Sequence, residues 1–213
     1  CVCTAKAVAK VGEAYYSDFA NAVAAWTDGT TLTLLADVTY DNYIDFYGGS
    51  YTFVGGNYTL DLGNACMDIT GALTIESGTI KTTEWGPIEV SSDASATINS
   101  DNTKLIGSDR QITVNGSKSL TITGKGCDGW RIMGAVPGNG DVPITIPDGF
   151  HLENDDGDQL DANDTLPAGR YTVIKANHTH SWSYTADDEK DTITAVCSGI
   201  IGTCPSAEQS ITL

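Results

Sequence analysis

The feature that most constrains this chain is a run of very short segments in which apolar and polar residues alternate strictly. They are Thr31-Leu-Thr-Leu-Leu35, Tyr51-Thr-Phe53, Asn57-Tyr-Thr-Leu-Asp-Leu62, Ala72-Leu-Thr-Ile75, Pro87-Ile-Glu-Val90, Ala96-Thr-Ile98, Gln111-Ile-Thr-Val114, Ser119-Leu-Thr-Ile122 and Pro143-Ile-Thr-Ile146. Alternation with period two puts the apolar residues on one side of an extended strand and the threonines on the other. Between the runs stand turn dipeptides: Gly48-Gly49, Gly55-Gly56, Ser77-Gly78, Asn115-Gly116 and Asp148-Gly149. The class is all-β.

Two architectures give many brief strands at such spacing. One is an antiparallel sandwich or barrel, in which Asn115-Gly116 would be a hairpin turn between Ile112/Val114 and Leu120/Ile122. The other is a parallel β-helix, a solenoid whose successive rungs cover one another's inner side chains. The brevity of the runs favours the solenoid, and so does the segment before them. Residues 17–26, Ser-Asp-Phe-Ala-Asn-Ala-Val-Ala-Ala-Trp, read as a helix. Ser17 stands as its cap, Asp18 at the positive end of its dipole, and Phe19, Val23 and Trp26 on one apolar face, with Gly29 as the stop. A lone amphipathic helix ahead of a β stack has a purpose if it closes the open apolar end. The expected organisation is a β-helix domain over residues 1–175 and a small β module over 176–213 that carries cysteine and histidine. The last alternating residues reach Leu213, and the parent chain is expected to continue into further domains.

At this point the sequence resembles a known group. Val8 to Val23, followed by Gly29-Thr-Thr-Leu-Thr-Leu-Leu-Ala-Asp-Val38, is similar to the opening of exported, adhesin-like cell-surface proteins of gut Gram-positive bacteria. The tail His178-Thr-His-Ser-Trp-Ser-Tyr184, Ile193-Thr-Ala-Val-Cys197 and Cys204-Pro205 resembles a small module repeated in the same proteins. The resemblance implies a parallel β-helix on a bacterial surface, outside the cell, and little about chemistry.

Charge narrows the partners. Lys plus Arg number 11 against 28 Asp plus Glu, a net charge of −17. Such a field repels phosphate backbones, anionic lipid and polyanionic sugars, so nucleic acid is not an expected partner. No stretch is long and apolar enough for membrane insertion as a helix.

Candidate sites fall into three groups. In the tail, Cys197 and Cys204 are read as a disulfide, as suits an oxidising exterior. The alternative is tetrahedral zinc held by His178, His180, Cys197 and Cys204, the two histidines sharing a strand face. Cys66 and Cys127 are read as buried small residues, with a mutual bridge open if their turns stack. The acidic turn from Asp155 to Asp164 fails the EF-hand template and is read as a solvated loop. The aromatics Tyr43, Tyr47, Tyr51, Trp85 and Trp130 are candidates for a ladder on which sugar rings stack, or for stacks inside the coil.

No catalytic signature is visible: no nucleophile elbow, zinc-protease motif or phosphate loop. Asp61, Asp68, Glu76 and Glu89 could approach the carboxyl separation of a glycosidase after rungs stack. A uronate lyase would need cationic residues, and Arg110, Arg131 and Arg170 are the only arginines. The expected function is therefore an adhesin-like or structural display module, with no catalysis and no cofactor. Its expected partner is a host or dietary glycan or a surface protein. The alternatives are a carbohydrate-binding domain and a polysaccharide-degrading β-helix enzyme.

Overall fold

The structure is a computed structural model. It describes residues 6–134, 142–161 and 163–176, and the backbone of Trp182–Asp187, Thr192–Cys197 and Glu208–Thr212. Most of these residues form a parallel β-solenoid of about five turns.

Each turn has up to three faces. Face one stacks Thr31–Leu34, the first half of Ser50–Asp61, the first half of Ala72–Lys81, Ser95–Asn99, Ser119–Thr123 and Val142–Thr145, all parallel. Face two stacks Val38–Thr39, the second halves of the same two long strands, and Thr103–Ile106. Face three stacks Ile44–Phe46, Met67–Ile69, Ile88–Val90, Ile112–Val114 and Arg131–Gly134. The alternating pattern becomes three inward columns: Leu32, Phe53, Ile75, Ile98 and Ile122; Val38, Leu60, Ile80 and Leu105; Ile44, Met67, Ile88, Ile112 and Ile132. Every one of these side chains is buried. Outward on face one stand six stacked threonines, Thr31, Thr52, Thr74, Thr97, Thr121 and Thr145. A β-branched side chain fits this half-exposed pleated position.

Asn115-Gly116 is not a hairpin turn. It is the corner between face three and face one, with Gly116 at φ 67° and the Asn115 N–H donating to Val90 O of the rung below at 2.8 Å. The sandwich alternative falls with it, since the flanking strands lie on different faces and pair in parallel with neighbouring rungs.

Both ends of the stack switch to antiparallel pairing. At the start, Ala9–Val11 pairs antiparallel with both Ala14–Tyr16 and Thr31–Leu34. The helix spans Phe19–Ala25, with Asp18, not Ser17, as its N-cap. The Asp18 carboxylate accepts the Ala20 N–H at 3.2 Å and a bond from Asn21 Nδ2 at 3.0 Å. Phe19, Ala22 and Trp26 are buried. Trp26 meets Phe46 edge-on at 4.9 Å, Tyr51 at 5.9 Å and Phe53 at 6.2 Å, so the helix is seated on an aromatic knot over the first rungs. At the other end, Gly169–Lys175 runs antiparallel to Arg131–Gly134 and to Phe150–Asn154, which in turn pairs with Gln159–Leu160. The acidic turn closes that last hairpin: Asn154 Oδ1 accepts the N–H groups of Asp156 and Asp158.

In the tail, Thr192–Cys197 pairs antiparallel with Trp182–Asp187 and Glu208–Thr212, a separate three-stranded sheet. His178, His180 and Cys204 lie outside the described residues, as does the side chain of Cys197.

Candidate functional site: a groove on face three

The outward residues of face three are chemically diverse, as are those of face two, where Thr39, Asp61, Lys81 and Ile106 align and Lys81 pairs with Asp61 at 2.8 Å. On face three, register aligns Asp45, Asp68, Glu89, Thr113, Met133 and Arg170 in one outward column. It therefore runs from acidic to neutral to basic along the stack.

Beside the acidic half is a groove of about 390 Å³, lined by Tyr43, Cys66, Glu84, Trp85, Glu89 and Arg110 among others. Tyr43 and Trp85 are each 61% exposed. Trp85 sits on the loop that enters face three and is locked by the next rung. Its carbonyl accepts the N–H of Arg110 at 2.9 Å and of Asp109 at 3.2 Å, while Ser108 N–H donates to Glu84 O at 2.9 Å. The two loops nest so closely that a Cβ on Gly107 would lie 2.7 Å from the Trp85 carbonyl oxygen. The Arg110 guanidinium lies 4.9 Å from the Trp85 ring centre, donates from Nε to Thr113 Oγ1 at 2.7 Å, and pairs with Asp109 at 2.9 Å. The loop that carries Trp85 is thus held to the next rung, and the Arg110 guanidinium covers one side of the ring.

The carboxylates are electrostatically coupled. Burial raises Glu89 above its ordinary value, the neighbouring Asp68 raises it further, and Arg110 opposes both. Asp68 accepts a hydrogen bond from Ser91 Oγ at 2.7 Å. Burial pushes the Cys66 thiol up to about 12, helped by Glu89, Asp68 and Asp45. The thiol is therefore protonated and a poor nucleophile at neutral pH.

The aromatic candidates separate clearly. Tyr43 and Trp85 come together on the groove. Tyr47 is 82% exposed but stands at the far end of its strand, within 3.5 Å of Asp45. Tyr51 is half-buried in the aromatic knot, 4.8 Å from Phe46. Trp130 is only 7% exposed. These last two pack against the interior, Trp130 almost fully and Tyr51 in part.

Cys66 and Cys127 are both free thiols. Among the described residues, no three His, Cys, Asp or Glu side chains are arranged to hold a metal ion, and no helix is long and apolar enough to cross a membrane.

Sequence reasoning reached Arg110 only as a cation for a uronate lyase, not as the neighbour of Trp85. Its role depends on nesting between loops of adjacent rungs, which no local spacing reveals.

The fold is a short, capped parallel β-solenoid with a groove on face three. No family model, curated protein or solved structure matches the chain.

Proposed function

We propose that this protein is a rigid display element of a bacterial cell surface, and that face three holds a saccharide in the groove between Tyr43 and Trp85. One observation carries the reading: two exposed aromatic rings flank a preformed groove supplied with carboxylate and guanidinium groups. Sugars offer an apolar ring face for stacking and hydroxyls for charged acceptors and donors, the mix this groove presents. The resemblance of the opening segment to adhesin-like surface proteins supports an extracellular location. The solenoid contributes stiffness, and affinity comes from stacking on the exposed rings rather than from closure of a pocket.

Replacing Tyr43 or Trp85 by Ala is expected to weaken glycan-array binding about tenfold or more, as for a central aromatic anchor. Tyr47→Ala leaves it unchanged. Binding that survives both groove changes would overturn the reading.

A second reading, hydrolysis of a glycosidic bond, is favoured by the position of Glu89 one rung above Asp68. Paired strands lie ~4.8 Å apart, close to the ~5–5.5 Å carboxyl separation of retaining glycosidases, and a carboxyl raised by burial suits the acid role. Product analysis of a bound oligosaccharide decides it. Cleavage lost in both Glu89→Gln and Asp68→Asn supports hydrolysis, and intact sugar leaves display alone.

In the tail we retain the Cys197–Cys204 disulfide, with zinc at His178, His180, Cys197 and Cys204 as the competing outcome. Stoichiometric zinc in the purified protein refutes the bridge. A tail peptide two hydrogens lighter than its reduced form supports it.

A further inference from the structure

The three arginines of the chain, Arg110, Arg131 and Arg170, line one small cavity of about 70 Å³ on face three. They lie 21 and 39 residues apart in sequence, on three successive strands or their approaches, in a molecule of net charge −17. Arg131 enters through its strand, which pairs Ile112 with Ile132. Arg170 enters through the antiparallel cap, opposite Met133. Two carboxylates share the cavity, Asp109 and Asp155. Asp109 holds two of the guanidiniums, Arg110 at 2.9 Å and Arg170 at 3.3 Å. Arg131 pairs with no carboxylate among the described residues, and Arg170 keeps 58% of its side chain exposed. Among the described residues that line the cavity, three guanidiniums stand against two carboxylates, and Arg131 has no carboxylate partner. That is the arrangement that grips a carboxylate or sulfate through paired N–H bonds.

Arg110 also lines the aromatic groove, so the two hollows meet at that residue. We propose that the arginine end seats a single anionic group at one end of the ligand. The ligand is then a short saccharide, neutral where it lies on Tyr43 and Trp85, that ends in one acidic sugar or one sulfate ester. This rests on the saccharide reading and refines it. A polyanionic glycan fits poorly, because its remaining charges would face Asp45, Asp68 and Glu89.

The test is a glycan array containing matched sets: lactose, sialyllactose, sulfated lactose and their longer relatives, with chondroitin sulfate as the polyanion and free N-acetylneuraminate as competitor. Wild type is compared with the double variant Arg131→Gln/Arg170→Gln, whose side chains are exposed and whose melting temperature is checked in parallel. The singly acidic members are expected to bind at least tenfold more tightly than their neutral parents. The double variant should remove that difference and leave neutral binding unchanged. Carboxylate and sulfate members separate the two sources of the charge. Equal binding of neutral and acidic members overturns the proposal while the saccharide reading survives. Strongest binding by chondroitin sulfate overturns it too. Acidic preference that persists when Tyr43 and Trp85 are both Ala, and that free N-acetylneuraminate fully competes, keeps the anion seat and removes the aromatic groove reading. An array that is silent throughout removes both.

Discussion

At the scale of single residues, much of the acidity has a structural use. Asp28, Asp37, Asp41, Asp101 and Asp128 stand at corners or on the loops between strands, and each accepts a backbone N–H from another rung or from the end cap: Ser50, Thr59, Asn64, Lys125 and Lys175 at 2.6–3.1 Å. Corner N–H groups fall outside the sheet ladder and need such partners. Asp101→Ala is expected to cost about 1 kcal/mol and lower the melting temperature by about 2–4 °C, whereas Asp101→Asn keeps the acceptor and most of the stability. Equal losses in both variants would mean that the bond contributes nothing. None of these roles was legible in the sequence, because for Asp28, Asp37, Asp41 and Asp101 the partner lies a whole rung away and an isolated Asp there looks like a solvated turn residue. Glu89 behaves in the opposite sense. Its folded-state value lies above the ordinary 4.5, so its contribution to stability is fully present below that pH and is lost as the pH rises through the folded value. Glu89→Gln should therefore melt higher than wild type at pH 7, with the gap closing as the pH falls toward 4.5. A gap that widens on acidification would refute the assignment.

At the scale of elements, the alternating runs gave the inner columns directly, since residues such as Ala96, Ile98, Ile112 and Val114 could face only one way. The corners were less legible. Ser50–Asp61 and Ala72–Lys81 each continue as one strand from face one onto face two, where the glycines at 55, 56 and 78 had marked ordinary turns. They bend because Gly55 and Gly78 touch: a Cβ on Gly78 would lie 2.5 Å from the Gly55 Cα, and Gly78 has φ 109°. Gly78→Ala places a methyl against backbone in a conformation L-residues avoid, at a cost of roughly 1–3 kcal/mol. A melting temperature within a degree of wild type would show that the corner can open. The antiparallel closing strands at the C-terminal end were also hidden. The alternation in Gly169–Lys175 shows a strand, and only its partner decides its direction.

At the scale of the whole molecule, antiparallel strands extend both ends of the parallel stack, and the helix packs beside the first of them. The result is a stiff body with a strong negative field and one local exception. The two fields have different ranges. The repulsion of an acidic glycan by a net charge of −17 acts over the full Debye length, about 30 Å at 0.01 M salt and about 8 Å at physiological strength. The attraction of Arg131 and Arg170 acts at contact, where screening is weak. Added salt should therefore remove the barrier to approach more than the grip at the seat. The association rate of a singly acidic glycan is expected to rise between 0.01 M and 0.15 M salt, contrary to the fall seen when a positive surface steers an anion. Stopped-flow tryptophan fluorescence, compared between wild type and Trp85→Phe, reads this rate through the ring that lines the adjoining groove. An association rate that falls with salt would mean that the arginine end dominates the field well beyond contact, and the picture of a short-range seat on a repelling body would have to be abandoned.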